Sequence, residues 1–196
     1  LDSGGRFAAN RPAQPAAATH AMIESTDKVL DLDALAERIA QWKRDNMAVA
    51  LCHGCFDLMH PGHIKYFESA RRLADALVVT VTPDRFVDKG PDRPVFPERL
   101  RAESIAALAC VDAVGVNRWP TAVETLQLLK PTYYVKGAEF DGVPDRTGKL
   151  QKEWDALAEI GAEMRYTHDD VVYSSTELLN RHVLGRGEPT GQGRGG

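Results

Sequence analysis

Residues 47–75 restrict the possible fold most, because they join a short apolar segment to an amphipathic one through a polar turn. Residues 47–51 are all apolar, as expected for a buried strand. The turn contains Gly54 and is followed by His60 and His63, which a proline and a glycine separate. Proline is favoured in the first turn of a helix, and apolar residues then recur at helical spacing. Because the N-terminus of a helix attracts anions, we predict that the two imidazoles lie at a phosphate site.

Strand-like and helix-like segments alternate along the rest of the chain. Strands are predicted over residues 47–51, 76–82, 111–116, 132–135 and 163–167. Helices are predicted from a cap at Asp31 or Asp33 to about residue 44, over about residues 62–74, 97–109, 121–129 and 150–160, and from a cap at Ser174 or Ser175 to about residue 184. This order predicts an α/β fold, a Rossmann-like doubly wound sheet of five parallel strands. Ligands of such sheets bind beyond the carboxyl ends of the strands, so polar motifs that follow different strands should meet at one edge.

The composition is that of a globular domain with unstructured ends. The chain has 196 residues and a formal charge of −4, which argues against a general nucleic-acid partner. Its apolar runs are shorter than a membrane span and its three cysteines indicate a reducing compartment, so we predict a cytoplasmic protein with no membrane partner. We predict a disordered leader over residues 1–26, a domain over residues 27–184 and a disordered tail over residues 185–196.

Several motifs resemble, in the same order, those of the cytidylyltransferase-like nucleotidyltransferases. Gly54-Cys55-Phe56-Asp57 is similar to the GxFD signature of that superfamily, and His60-Pro61-Gly62-His63 to its HxGH signature. The other matching segments are Lys89-Gly90, Arg93-Pro94-Val95, Arg101, Val135-Lys136-Gly137 and Tyr173-Ser174-Ser175-Thr176. Over residues 47–184 the chain most resembles the adenylyltransferase domain of bifunctional ADP-heptose synthases, and next glycerol-3-phosphate cytidylyltransferase.

The resemblance implies a Mg²⁺-dependent enzyme that transfers a nucleotidyl group from a nucleoside triphosphate to a sugar or polyol phosphate and releases pyrophosphate. Both reactants are anions, so the protein must neutralise charge in the transition state. His60 and His63 are expected to stabilise that state, with Lys89 as a third catalytic group. Mg²⁺ is expected to arrive with the triphosphate, and no residue of the chain is predicted to be a metal ligand.

The resemblance also assigns binding roles. The expected nucleotide-binding residues are Gly54, Cys55, Phe56, Arg101, Lys136, Gly137, Glu139, Ser174, Ser175 and Thr176. The expected substrate-binding residues are Asp57, Arg93 and Trp119. The family often has aspartate where this chain has Glu139, and usually a glycine or cysteine before the hydroxyl run, where this chain has Tyr173 and Ser174. The resemblance further implies a homodimer and a sugar-kinase domain or partner.

Other interpretations of the same residues stay open. The resemblance favours ATP and a heptose-1-phosphate-like acceptor, and the alternative is CTP with glycerol 3-phosphate or another polyol phosphate. A nucleotide-binding module that has lost catalysis is a different possibility. The two histidines would in the simplest case only cap a helix, and Lys89 would be a solvated loop residue.

A metal or redox site is a further alternative for the same segment. Cys52, Cys55, His60 and His63 superficially resemble zinc ligands, and the two cysteines resemble a dithiol motif. The four-residue spacer before the first histidine is short for a zinc finger of this ligand type. Strand alternation would also turn Cys52 into the core, away from the histidines. We therefore expect the cysteines to have no metal-binding or redox role.

Overall fold

The computed structural model describes residues 25–142, Asp145 and residues 147–167, and these residues form a parallel sheet covered by helices. The strands are β1 (Val29–Leu30), β2 (Val49–Gly54), β3 (Ala76–Val81), β4 (Ala113–Val116), β5 (Tyr133–Gly137) and β6 (Glu163–Thr167). The helices are α1 (Leu32–Arg44), α2 (Pro61–Arg71), α3 (Glu98–Ala106), α4 (Val123–Leu129) and α5 (Lys149–Ile160). Short 3₁₀ helices cover Ser25–Lys28, Asp84–Phe86 and Ala138–Phe140.

The sheet has the order β1-β4-β3-β2-β5-β6, and every pair of neighbours is parallel. The chain runs outward from β2 through β3 to β4, and then returns to place β5 on the other side of β2. The carboxyl ends of β2 and β5 therefore flank the point at which the strand order reverses, which is where open α/β sheets bind ligands. The predicted class of fold, a doubly wound parallel sheet, is confirmed.

Helices cover both faces of the sheet, and each face has its own core. On the first face, α1 and α4 bury Leu35 and Leu126 against strand residues that include Leu51, and α5 extends this core. On the second face, α2 and α3 bury Phe67 and Ile105. Successive residues of a strand point to opposite faces, so a rim residue belongs to one face or the other according to its position in the strand.

The structure adds a sixth strand to the five predicted. β1 has only two residues, too few for any alternation in the sequence to reveal, and it is held by its pairing with β4. β2 ends at Gly54 and not at residue 51, because His53 and Gly54 continue the ladder opposite Thr80 and Val81. The remaining predicted elements within the described part of the chain lie within three residues of their expected bounds.

The first helix begins as predicted at a side-chain cap. The Asp31 carboxylate accepts hydrogen bonds from the backbone N–H groups of Asp33 and Ala34, both at 2.9 Å. The helix then packs so closely on β4 that a Cβ atom at Gly115 would lie 2.9 Å from a methyl carbon of Leu35. Glycine at this position therefore allows α1 to approach the sheet.

Several predictions fall on residues outside the described ranges. These are the hydroxyl run at 174–176, the last helix to about residue 184, the tail over residues 185–196, and the leader apart from its last two residues. Among the described residues, no helix is both long enough and apolar enough to cross a lipid bilayer.

Candidate active site

The two signature histidines form one unit at the start of α2. His60 is the residue that precedes the helix, with extended backbone angles, and its side chain makes no capping hydrogen bond. The His60 and His63 rings stack with their centroids 3.8 Å apart and their planes 23° apart. His60 is buried, with 7 % of its surface exposed. Packing between the two rings therefore sets their orientation at the N-terminus of α2. The His60 side chain does not act as an ordinary helix cap.

The Phe56 ring packs between His63 and the core residue Phe67. Its ring meets the His63 ring edge to face at 5.3 Å and the Phe67 ring at 5.0 Å. The backbone of Phe56 has a φ of 48°, a left-handed conformation that non-glycine residues rarely adopt and that is often found at functional turns. A Cβ atom on Gly54 would lie 2.9 Å from the Phe56 ring, so glycine is needed here for the ring to fit.

The environment of both histidines disfavours their protonated forms. Burial is the largest cause that lowers the pKa of His63 to about 4, and the charges of His60 and Lys89 lower it further, while the Leu58 backbone opposes them. Burial and Lys89 also lower the pKa of His60. Both imidazoles are therefore neutral near pH 7, and each offers one N–H donor until an anion binds beside them.

Three predicted cations surround the turn that contains Cys55. Burial raises the pKa of the Cys55 thiol, while the charges of Lys89, Arg101 and Arg93 oppose the increase. Lys89 itself is exposed on the loop after the 3₁₀ helix at Asp84–Phe86. The same Lys89 charge acts on both histidines. The charge of Lys89 therefore acts on the histidine pair from a position 26 or more residues further along the chain.

Asp57 is used to hold the loop that carries Arg93. Its side chain is fully buried, and its two oxygens accept hydrogen bonds from Arg93 Nε and, at 2.6 Å, from the Val95 backbone N–H. Among the described residues, Asp57 therefore makes a positioning contact, and its predicted role in substrate binding stays a prediction. Arg93 is held at the turn, with 8 % of its side chain exposed.

Arg101 lies inside the protein, beneath the turn that follows β2. Its side chain is 1 % exposed. Its guanidinium donates to the backbone oxygens of Cys55, Phe96 and Thr82, and to the Asp84 carboxylate at 2.6 Å. These acceptors belong to the turn after β2, the end of β3 and the loop before α3. Arg101 therefore joins the segments that form the site, and its predicted role in nucleotide binding stays a prediction.

Lys136 lies on the face of the sheet opposite to His60 and His63. Its ammonium pairs with Glu153 at 2.7 Å and lies 5.1 Å and 4.8 Å from the ring centres of Tyr134 and Phe140. Tyr134 belongs to the core of the first face, whereas α2 and its histidines lie on the second. Lys136, a predicted nucleotide-binding residue, therefore forms an ion pair on the face of the sheet that α2 does not cover.

The remaining predicted residues lie at the same edge or outside the described side chains. Gly137 ends β5, opposite Thr167 of β6. Trp119 is half-buried in the loop after β4 and packs against the core of the first face. The side chain of Glu139 and the residues 173–176 are outside the part of the structure that is described.

Two neighbours of the site were not found by sequence reasoning. The Tyr66 hydroxyl of α2 donates to the Val135 backbone oxygen at 2.5 Å and so ties the histidine-bearing helix to β5. His53 approaches Thr80 with its Nδ1 atom at 3.0 Å from the hydroxyl oxygen, across β2 and β3. Both contacts join residues far apart in sequence, so no local pattern indicated them.

Among the described residues, the cysteines do not belong to a cluster of metal-binding side chains. Cys52 is buried in the core of the second face, and burial raises the pKa of its thiol to about 12. Within residues 25–142, 145 and 147–167, no group of three or more His, Cys, Asp or Glu side chains is placed to hold a metal ion. Cys52 is buried in the core as the strand alternation predicted, but on the second face, which α2 covers, so the expectation that it would point away from the histidine-bearing side is wrong.

The doubly wound sheet and the histidine pair beyond its central strand place this chain in the class of nucleotidyltransferases with the HIGH-type fold. A sequence profile described as cytidylyltransferase-like matches residues 51–181. The chain belongs to that cytidylyltransferase-like family.

Curated relatives are bifunctional proteins of greater length. The bifunctional protein HldE of Rhodopseudomonas palustris (strain HaA2) is 40 % identical over 124 residues, which cover 62 % of this chain and 25 % of the relative. The protein of the same name from Magnetococcus marinus is 38 % identical over 138 residues, which cover 69 % and 28 %. The chain therefore spans about a quarter of the length of these relatives.

Solved structures show the same fold. A lipopolysaccharide core biosynthesis protein from Thermoplasma volcanium GSS1 matches with a TM-score of 0.50 and 26 % identity, over 63 % of this chain and 99 % of that one. A pantoate–β-alanine ligase from Francisella tularensis matches with a TM-score of 0.54 and 14 % identity, over 78 % and 72 %. At that identity the second likeness concerns the fold alone.

Proposed function

We propose that this chain transfers AMP from ATP to the phosphate of a sugar phosphate such as heptose 1-phosphate. An oxygen of the acceptor phosphate attacks the α-phosphorus, the bond to the bridging oxygen of the β-phosphate breaks, and pyrophosphate leaves. The attacking oxygen is already an anion, so no side chain has to remove a proton. The chemistry then depends on positioning and on neutralising charge.

The observation that carries this proposal is the stacked pair of His60 and His63 at the N-terminus of α2, beside Lys89. Two imidazole N–H groups and the positive end of the helix dipole suit the oxygens around the α-phosphate. The exposed ammonium of Lys89 suits the charge that develops on the leaving pyrophosphate.

Mg²⁺ is proposed to enter with the nucleotide. The two carboxylates beside the turn, Asp57 and Asp84, are each paired with an arginine. Because these two carboxylates are already engaged, the triphosphate oxygens would be the main ligands of the cation. This agrees with the common behaviour of Mg²⁺, which binds substrate phosphates with few protein ligands. When bound, it supplies positive charge to the β- and γ-phosphates.

The choice of ATP and of a sugar phosphate is supported by the likeness to the bifunctional HldE proteins and to a structure described as a lipopolysaccharide core biosynthesis protein. CTP with glycerol 3-phosphate or another polyol phosphate is the alternative, supported by the cytidylyltransferase-like profile. We also propose a sugar-kinase domain or partner, since the relatives are bifunctional and the matched part covers only about a quarter of their length. A cytoplasmic homodimer is proposed with it, as the resemblance implies.

A pyrophosphate-release screen tests the proposed function. Four nucleoside triphosphates are crossed with a panel of sugar and polyol phosphates, with Mg²⁺ present, and each positive pair is checked for the nucleotide-linked product by mass spectrometry. We expect turnover with ATP and a heptose 1-phosphate or a close analogue. Turnover only with CTP and a polyol phosphate would support the alternative, and nucleotide binding without turnover across the panel would indicate a binding module.

A further inference from the structure

His53 is a titratable side chain at the edge of the sheet to which the proposed reaction gives no role. It is half-buried, and its Nδ1 atom lies 3.0 Å from the hydroxyl oxygen of Thr80, which is fully buried in β3. Its Nε2 atom lies 3.5 Å from the hydroxyl oxygen of Thr82, a distance at which a hydrogen bond is weak. We call these three residues the polar cluster. One ring nitrogen of His53 is therefore firmly engaged, and the other is held only loosely.

The polar cluster lies above the core of the first face. His53 and Thr80 are opposite each other in the ladder between β2 and β3, two residues beyond the core residues Leu51 and Val78. Because strand residues alternate between faces, His53 and Thr80 belong to the same face as that core. The histidine pair instead begins α2, which packs on the second face. A substrate that lies across the carboxyl end of β2 would therefore meet both sets of side chains.

The two faces of this edge offer different charges. The second face has the histidine pair, on which the charge of the exposed Lys89 acts. On the first face Lys136 lies beside His53, since it follows the residue of β5 that is opposite Cys52. The Lys136 ammonium already pairs with Glu153 at 2.7 Å. A phosphate dianion would therefore gain little on the first face, which suits an uncharged polar group better.

His53 itself is uncharged near pH 7. Burial is the largest cause that lowers its pKa to about 4, and the charge of Lys136 lowers it further. A neutral imidazole has one N–H donor and one acceptor nitrogen. With Nδ1 engaged by Thr80, the Nε2 atom can exchange its weak contact with Thr82 for a hydrogen bond to a ligand. A hydroxyl group is the matching partner, because it can donate or accept and carries no charge.

Both substrates of the proposed reaction carry hydroxyl groups, and the position of the polar cluster favours the acceptor. The hydrogen bonds of His53 are made to β3, and the loop after β4 begins beside that strand, with the Asn117 N–H donating to the Val81 oxygen at 2.9 Å. This loop carries Trp119, a predicted substrate-binding residue that packs on the first face. The predicted nucleotide-binding residue Gly137 lies on the other side of β2, in β5.

We propose that His53, held by Thr80, binds a hydroxyl group of the acceptor and so selects acceptors that carry a hydroxyl group as well as a phosphate. This assignment rests on the proposed function. It makes His53 a specificity-determining residue, since the phosphates would be bound on the second face. The ribose of the nucleotide offers the same chemistry, so the experiment must separate the two sources.

Isothermal titration calorimetry with saturating α,β-methylene-ATP and Mg²⁺ compares three ligands that share a phosphate: heptose 1-phosphate, glycerol 3-phosphate and inorganic phosphate. The wild type is measured beside His53→Asn and Thr132→Val, and circular dichroism monitors folding. Asparagine can keep the contact with Thr80 but does not reach the position of Nε2. Thr132→Val is the matched control, because it removes a hydroxyl that accepts from the Val49 N–H at 3.1 Å, at the opposite end of β2.

We expect the wild type to bind one of the two organic phosphates more tightly than inorganic phosphate. His53→Asn should weaken binding of that organic phosphate by about 3–10-fold, the loss expected for one hydrogen bond between uncharged groups. Its affinities for inorganic phosphate and the ATP analogue should stay within about twofold, as should every affinity of Thr132→Val. With a substrate pair from the screen, the KM for the acceptor should rise in His53→Asn while the KM for the nucleotide does not.

Three outcomes overturn the assignment. Equal wild-type affinities for the three phosphates, or equal weakening of all three in His53→Asn, would show that His53 recognises no hydroxyl group of the acceptor. A loss of affinity for the ATP analogue that disappears with its 2′-deoxy or 3′-deoxy form would assign the contact to the ribose. Unchanged binding of every ligand in a folded His53→Asn protein would leave His53 a purely structural role.

A separate result bears on the proposed function alone. If an organic phosphate binds in a manner that depends on His53 but no substrate pair turns over in the screen, the hydroxyl site is supported and the proposed transfer reaction is rejected.

Discussion

The His60 and His63 rings stack at 3.8 Å, close enough that the charge of one lowers the pKa of the other. Two neutral imidazoles tolerate this contact, whereas two imidazolium ions would repel each other. An anion between the rings and the N-terminus of α2 would offset that repulsion. A bound phosphate would therefore favour protonation of the pair, because its negative charge offsets the repulsion between the two rings.

His63→Ala should lower kcat by about 10²–10³-fold, the effect of removing one preorganised donor to a developing charge. The fold should persist, because His63 is a half-buried residue at the beginning of a helix. Pyrophosphate release under saturating substrates measures the effect, and Lys65→Ala, which removes an exposed side chain from the same helix, is the control. A near wild-type rate in the His63 variant would exclude it from the chemistry.

The same residue should make stability depend on pH. The pKa of His63 is about 4 in the folded protein and near 6.5 when unfolded, so the unfolded state binds more protons between these values. Stability is therefore lost as pH falls from about 6.5 towards 4, and for His63 alone the loss at pH 5 is roughly 1–2 kcal/mol. His60 and His53, whose pKa values are also lowered by burial, add to the loss in the same direction.

Urea unfolding at pH 7.5, 6 and 5 separates the contribution of His63 from the others. His63→Asn removes one titrating group and retains the other two. Its free energy of unfolding should fall less than that of the wild type over this range. If the free energy of unfolding fell equally in both proteins between pH 7.5 and pH 5, His63 would have an ordinary pKa in the folded state.

The sheet was largely predictable because its strands leave few other interpretations. All six residues of β3 are buried, and a short β-branched run of this kind is typical of a central parallel strand. β1 was missed because two residues contain no period, and only its partner β4 makes it a strand. The continuation of β2 through His53 was missed because polar residues at a strand end look like a turn until the neighbouring strand is known.

The candidate site was predictable where its geometry is local. His60 and His63 lie on one helix turn, so their spacing alone brings them together. Arg101 shows the limit, since its position depends on acceptors from separate segments that no local pattern connects. The position of Lys136 was partly predictable. Strand alternation places it on the same face as the core residue Tyr134, which is the face opposite to His60 and His63.

Gly54→Ala tests the support that Phe56 gives to the histidine pair. The new methyl group would overlap the Phe56 ring, whose edge contact orients His63. We expect kcat to fall by about 10–100-fold, as for a small misplacement of a catalytic group. Overpacking should also lower the free energy of unfolding by about 1–3 kcal/mol.

Gly115→Ala is the matched control for this change. It creates an equally close contact, 2.9 Å from a methyl carbon of Leu35, but in the core between α1 and β4. It should lower stability by a similar 1–3 kcal/mol and leave kcat unchanged at a temperature where the protein is folded. Equal losses of kcat in both variants would mean that the effect at position 54 comes from stability alone.

Arg101→Ala distinguishes the internal role seen in the structure from the phosphate contact that the resemblance implied. Removing the guanidinium leaves three backbone oxygens without their donors and opens a cavity beneath the turn at Cys55. We expect the free energy of unfolding to fall by at least about 3 kcal/mol, since each unsatisfied buried group costs about 1–3 kcal/mol. Arg99→Ala, at an exposed position of the same helix, should change it by no more than about 0.5 kcal/mol.

Arg101→Lys makes the distinction sharper, because it keeps a positive charge but cannot reach all four acceptors. If Arg101 holds the segments of the site together, the lysine variant should be destabilised. Its affinity for ATP, measured at a temperature where circular dichroism shows a folded protein, should change little. If Arg101 instead contacts the triphosphate, stability should be close to that of the wild type and the Kd for ATP should rise by about tenfold, the loss expected for a hydrogen bond to a charged group. The buried position of the guanidinium favours the first result.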